Sequence, residues 1–287
     1  YEDVGHTQEA KKELLNYVDF QHTENVLNTL KPPRLIQRML QIGTDADTND
    51  IVIDFFSGSA STAHAVLAQN VEDGGNRRFI MAQYPEPLPE PEPNLDTIAD
   101  MGRRRVRRVI ERVQAAADDG HDPQLSLDLD DEDAGVDAAL QDLGFKVFKL
   151  APSTFRRWES PAEAEDLEQQ LSYFDEGLKD DADLQYVIYE VLLKEGYSLN
   201  AQIEPLALPS NTVYRITDEI VEHPEDEETD MEEPQGPPPN FFLCLDDAIA
   251  IETLDALPLD DQTAFICLDN ALDDSKKVNL ALQCELR

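Results

Sequence analysis

Within nine residues, Asp54-Phe55-Phe56-Ser57-Gly58-Ser59-Ala60-Ser61-Thr62 combines a carboxylate, two aromatic rings, several hydroxyls and a glycine. A carboxylate can hold an amino group, and a ring can cover a flat base. Small residues let the backbone approach a ligand closely. The apolar run Ile51-Val52-Ile53 precedes this segment, and a helix-like run, Ala63 to Asn70, follows it. That order predicts a buried strand, a tight turn and a helix N-terminus, whose free N–H groups can bind a carboxylate or phosphate. Each residue also has a plainer reading. Asp54 can be a solvated strand end, Phe56 a core residue, and Ser59 or Thr62 an N-cap.

Other chemistry-bearing residues are sparse. Arg103, Arg104, Arg105, Arg107, Arg108 and Arg112 fall on one predicted helix. Two readings fit them: contact with phosphate or a partner subunit, or pairing with nearby acids. His64 follows the turn and reads as a packed or surface residue, since nothing beside it in sequence would orient it. Cys244 and Cys267 sit in apolar strand-like runs, and with Cys284 they lack zinc spacing. Buried free thiols of a reducing compartment are expected. No Ser-His-Asp order and no phosphate-binding G-x-x-x-x-G-K-[ST] is present.

Upstream of the strand lies Lys31-Pro32-Pro33-Arg34-Leu35-Ile36-Gln37-Arg38-Met39-Leu40. Together with the 54–62 turn it resembles the beta-group amino-methyltransferases of DNA, which carry K-P-x-x-L-I ahead of a D-x-F-x-G-S-G-T-T cofactor loop. In particular it resembles the methyltransferase (Mod) subunit of type III restriction–modification systems. Thr7-Gln8-Glu9-Ala10, Thr62-Ala63-His64-Ala65-Val66, Gly74-Gly75-Asn76-Arg77-Arg78-Phe79-Ile80, Ile98-Ala99-Asp100, Gly144 to Leu150 and Glu190 to Tyr197 fit in the same order. The resemblance covers most of the chain.

That resemblance implies S-adenosylmethionine as cofactor and methyl transfer to N6 of adenine as the parent activity. It implies a cofactor site of Lys31, Pro32, Asp54, Phe55, Phe56, Ser57, Gly58, Ser59, Thr62 and Gln83. Gln83 would stand where many methyltransferases place an acid on the ribose hydroxyls. Implied partners are double-stranded DNA through the full-length protein, a helicase–nuclease restriction subunit and a second copy in a homodimer. The family's D-P-P-Y or N-P-P-Y loop, which holds the target amino group, does not occur here. The chain is therefore expected to be the C-terminal part of a longer protein, inactive alone, with no catalytic residue of its own. The alternative is a non-catalytic dimerisation and docking module. Ala60 replaces the family's second loop Gly. Its methyl is harmless in a right-handed backbone and unfavourable at positive φ.

The 287 residues include 61 acids and 23 bases, a formal charge of −38. A DNA reader usually presents net positive charge, so this stretch alone is a poor candidate for one. Acid spread over the whole chain with little Lys suggests adaptation to high salt, where charge is screened. An acidic mimic of nucleic acid is the competing reading. No signal peptide or run of apolar residues long enough to span a membrane is evident, so a cytoplasmic protein with no membrane partner is expected.

The fold class expected is α/β: a partial S-adenosylmethionine-dependent, Rossmann-like parallel sheet followed by a smaller C-terminal α/β domain. Residues 1–30 read as a lead-in from the recognition region. Residues 31–150 form the cofactor-binding part, with an acidic loop at 118–135. Residues 151–287 form an assembly domain with a Pro- and Glu-rich linker at 223–240. Helices are predicted at Lys31 to Gln41, Ser59 to Asn70, Leu95 to Ala117, Pro161 to Leu178 and Asp183 to Lys194, with another from about Asp247. Strands are predicted at Ile51 to Asp54, Arg78 to Gln83, Phe145 to Leu150, Val213 to Ile216, Phe241 to Leu245 and Phe265 to Leu268. Pro85 to Pro93 reads as an extended connection.

Overall fold

The computed structural model describes residues 5–118, 143–156, 177–218, 240–260 and 263–287. The chain forms two compact units, Tyr1–Val147 and Phe148–Arg287, and its architecture is mixed α/β.

In the first unit, α1 (Thr7–Leu15) opens with a capping box in which the side chains of His6 and Glu9 each accept from the other residue's N–H. Pro33 starts α2 (Pro33–Gly43), where its fixed φ suits the first turn and its missing N–H costs nothing. β1 (Ile51–Asp54) and β2 (Arg78–Met81) pair in parallel, Ile53 opposite Ile80, and α3 (Ser61–Asp73) makes the crossover between them. Gly74, at φ 70°, ends α3 in the left-handed conformation that glycine adopts without penalty. The core gathers Leu14, Val18, Leu30, Ala63, Leu67, Met101 and Val109, while Val52 and Phe79 pack with Leu40, Ala65 and Val66. The other face of the strand pair is bare: Ile51, Ile53 and Ile80 are 49, 51 and 54% exposed.

Some sequence expectations need correction here. Pro85 to Pro93 is not merely a connection. β3 (Pro87–Glu92) pairs antiparallel with β4 (Leu95–Thr97), and Asn94 turns the hairpin at φ 61°, a conformation Asn tolerates. The following helix, α4 (Ile98–Asp118), consequently starts after Leu95. Phe145 to Leu150 is no strand. Among the described residues no strand pairs with it, and Phe148 instead packs edge-to-face on Tyr189. On α2 Met39 is exposed. α3 starts two residues later than expected, because Ala60 turns the chain out of helical geometry. The hairpin is clamped to residues 21–25. Glu92 accepts from the N–H groups of Gln21 (2.9 Å) and His22 (2.8 Å) and from Asn25 Nδ2 (2.9 Å). Asn25 also meets both backbone groups of Glu90. Burial alone would raise the Glu92 pKa, but these donors hold it below the ordinary carboxylate value.

In the second unit, α5 (Leu184–Lys194) is capped by Asp183, which accepts from the N–H of Gln185. A five-stranded sheet runs β5 (Gln202–Ala207), β6 (Thr212–Thr217), β7 (Asn240–Cys244), β8 (Ala264–Cys267), β9 (Glu285–Leu286). The first three strands are antiparallel and the last three parallel. Alternate residues of β7 supply opposite faces. Phe241 and Leu243 pack with Val187, Leu192 and Tyr197; Phe242 and Cys244 pack with Ile249, Phe265 and Leu280. Short α6 (Ile251–Asp255) and α7 (Asp274–Ala281) belong to the second of these layers. The sequence reading missed α1, β5, α7 and β9. The predicted helix at 161–178, the acidic loop beyond residue 118 and the linker fall largely or wholly outside the described residues.

Cys244 and Cys284 are buried, Cys267 is partly so, and all three are free thiols. Burial pushes Cys267 up to about 11. Among the described residues no side-chain group could hold a metal ion, and no helix is long and apolar enough to cross a membrane.

Candidate cofactor site

The loop between β1 and α3 leaves the carboxyl end of a parallel strand, where open α/β sheets bind ligands. Asp54 ends β1 and organises the loop. Its Oδ1 accepts from Phe56 N–H (3.0 Å) and its Oδ2 from the Thr62 hydroxyl (2.6 Å). A carboxylate has about four acceptor positions, so capacity for a ligand ammonium remains. Phe55 is 72% and Phe56 92% exposed; neither is a core residue, and both rings are open to a flat partner.

The loop backbone is tied to β2. Ser57 N–H donates to Ala82 O (3.2 Å) and Gly58 N–H to Gln83 Oε1 (2.7 Å). Gln83 Nε2 in turn donates to Tyr84 O at 3.0 Å. Gln83 thus holds the loop with its carbonyl oxygen. Gly58 lies at φ 52° and Ala60 at φ 58°, ψ 38°. Among the described residues Ala60 is alone in combining positive φ with neither Gly nor Asn identity. The unfavourable alternative at this position is therefore the one realised. Among the described residues no side chain caps α3, so its first N–H groups are left for another acceptor. Ser59 and Thr62 do not cap it: Ser59 is buried beneath the loop, and Thr62 bonds Asp54. An uncapped helix start, a strand-end carboxylate and open aromatic rings fit a ligand that carries a carboxylate, an ammonium and a flat base.

Lys31 is exposed and Pro32 is buried at the start of α2. Among the described residues no hydrogen bond joins either to the loop. The preceding stretch does approach it, with Leu27 bordering Gly58. The structure therefore gathers Asp54, Phe55, Phe56, Ser57, Gly58, Ser59, Thr62 and Gln83, and leaves Lys31 and Pro32 without a direct link.

Sequence reasoning missed the layer below the loop. Arg105 of α4 is fully buried. Its Nη1 donates to Ser61 Oγ (2.9 Å) and Ser59 Oγ (3.2 Å), its Nη2 to Glu13 Oε1 (3.3 Å), and its Nε to His64 Nδ1 (3.3 Å). His64, also fully buried, is held neutral: burial first, then the charges of Arg105 and Arg112, keep its pKa well below the ordinary value. Burial raises Glu13 above the ordinary carboxylate value, against the pull of Arg105. His64 is thus oriented, by partners distant in sequence. Gly102, one turn before Arg105, lets α4 touch the loop; a Cβ there would sit 3.2 Å from Gly58 O and 3.4 Å from Ala60 Cβ. The remaining arginines mostly meet acids or carbonyls. Arg103 pairs with Asp100, Arg108 with Asp19 and Glu111, and Arg112 bonds Asn16 O while covering the Tyr17 ring at 4.2 Å. The one signal available was a run of arginines in a chain so poor in bases.

Residues 3–84, which contain the loop and both strands of the parallel pair, match the N6/N4 DNA methylase family. The chain is also similar to the Mod subunits of two type III restriction-modification enzymes. One is StyLTI of Salmonella typhimurium, 32% identical over 158 residues, or 54% of this chain and 20% of the relative. The other is EcoPI of Escherichia phage P1, 33% identical over 92 residues, or 31% of this chain and 14% of the relative. The matched region spans a fifth or less of the length of these relatives.

Proposed function

We propose that the chain carries the cofactor-binding part of an S-adenosylmethionine-dependent DNA adenine-N6 methyltransferase of a type III restriction–modification system. The observation that carries this reading is the β1–α3 loop, with its left-handed turn, uncapped helix start and exposed Phe56, inside the stretch matched to DNA methylases. In this reading α3's first N–H groups take the carboxylate of the methionyl end, Asp54 takes its ammonium, and Phe56 covers the adenine. Gln83 orders the loop rather than serving the ribose alone. The cofactor supplies the methyl group. No residue here is assigned to orient the target amine, because D-P-P-Y is absent from the 287 residues. Parallel sheets are normally covered on both faces, so the bare Ile51, Ile53 and Ile80 suit a sheet that continues in a larger assembly.

A second reading concerns residues 151–287. Their own sheet and core, and the acid content of the chain, favour an assembly role: dimerisation and docking of a restriction subunit rather than DNA contact.

Calorimetric titration with S-adenosylhomocysteine tests the main proposal. The 287-residue chain should bind it, Asp54→Ala and Gly58→Val should each lose at least about tenfold in affinity, and Ile51→Thr should not. Absence of binding by the unaltered chain, or equal binding by all variants, would refute it.

A further inference from the structure

Arg105 is the largest fully buried side chain among the described residues. A guanidinium keeps its charge at any ordinary pH, so its burial is tolerated only where its donors are used. Two of those bonds go to Ser59 and Ser61, the residues on either side of Ala60. Ala60 is also the residue whose backbone conformation a side chain resists. Glu13 and His64 fix the guanidinium from the far side.

We propose that Arg105 is a positioning residue for the cofactor loop: it grips the hydroxyls flanking Ala60 and holds that residue in the left-handed turn that aims β1 into α3. This rests on the reading of the loop as a cofactor site. Arg105 itself need not touch the cofactor. Its fork reaches two hydroxyls, a carboxylate and an imidazole at once, which the single nitrogen of a lysine cannot do. Gly at position 60, the family's residue, would hold the turn without assistance. The grip and the alanine are thus two halves of one device.

The test uses the full 287-residue chain with Arg105→Lys, Ser61→Ala, and each combined with Ala60→Gly. Two quantities are read: hydrogen exchange of the amides at 57–61 and affinity for S-adenosylhomocysteine. Arg105→Lys and Ser61→Ala should each speed loop exchange while leaving the β1 amides protected. Arg105→Lys should weaken binding by about tenfold, the size expected for loss of a charge-assisted bond. Adding Ala60→Gly should restore most of the affinity, a rescue that a mere packing role does not predict. Unchanged loop exchange and affinity in both single variants, or a loss that Ala60→Gly fails to rescue, would overturn the proposal. If Arg105→Lys does not fold, Ser61→Ala and its Ala60→Gly partner decide alone. If the unaltered chain binds no S-adenosylhomocysteine, the cofactor reading fails, and loop exchange still decides whether Arg105 holds the turn.

Discussion

Ala60 permits a direct measurement of the strain stored in the loop. It lies at φ 58° and is 4% exposed, while Ala63, one turn on in α3, is fully buried in ordinary helix. Replacing either by Gly removes a buried methyl, worth about 0.8 kcal/mol, and adds backbone freedom to the unfolded chain. At Ala63 that freedom and the poor helix propensity of Gly cost about 1 kcal/mol more, for a total near 1.8 kcal/mol. At Ala60 the same losses are offset by relief of a left-handed conformation that costs an L-residue about 1–2 kcal/mol. Ala60→Gly should therefore fall within about 1 kcal/mol of neutral, and the two variants should differ by about 1–2 kcal/mol. Native-state hydrogen exchange of buried α3 amides reads the first unit alone, and thermal melts should separate the variants by roughly 2–4 °C per kcal/mol. Equal destabilisation by the two substitutions would show that position 60 stores no strain and would undo the argument.

Gly102→Ala should push the loop away from α4 and cost about 1–3 kcal/mol, the range for overpacking, with weaker S-adenosylhomocysteine binding as the check. Glu190 of α5 should make the second unit acid-sensitive. Burial would raise its pKa, but donors from Ser153 and Thr154, with the charge of Lys194, hold it at about 2 against an ordinary 4.5. A depressed carboxylate stabilises above its unfolded pKa and loses that contribution as pH falls through the folded one. The stability gap between the unaltered chain and Glu190→Gln, followed by urea denaturation, should therefore shrink from pH 4.5 to about 2. At a charge of −38 self-repulsion acts over about 30 Å at 0.01 M salt and about 3 Å at 1 M. The melting temperature should rise with potassium chloride, and a flat response would remove the salt-adapted reading.

The elements legible in sequence were those whose signal is local. Ile51 to Asp54, the helix behind Pro33, the Asp183-capped helix and the runs at Phe241 and Phe265 carry their own period or cap, and each forms close to its expected place. Phe145 to Leu150 has the same apolar look, but a strand needs an edge to pair with, and sequence does not say whether one is near. The Pro-rich stretch misled for the opposite reason: proline removes donors, yet Glu86, Glu90 and Glu92 between the prolines kept the backbone or carboxylate groups that fix the hairpin. At the site, Asp54 to Thr62 could be read as a unit because its residues are contiguous. Arg105 could not, since its partners lie 41 to 92 residues away and nothing in a run of arginines says which one turns inward.

Two of the polar links that close the first unit also bear on the order in which it can fold. Asn25 meets Glu92 across 67 residues and Glu13 meets Arg105 across 92, whereas α2, β1, α3 and β2 follow one another along the chain. Closing a long loop has an entropic cost that must be met before the distant contact forms. The crossover unit should therefore assemble first, with α1 and the hairpin latching on afterwards. On the ribosome the consequence is sharper. Strand, loop and helix are all synthesised before α4, so the nascent loop waits without its grip until residue 105 has emerged, and only then can the turn at Ala60 be held.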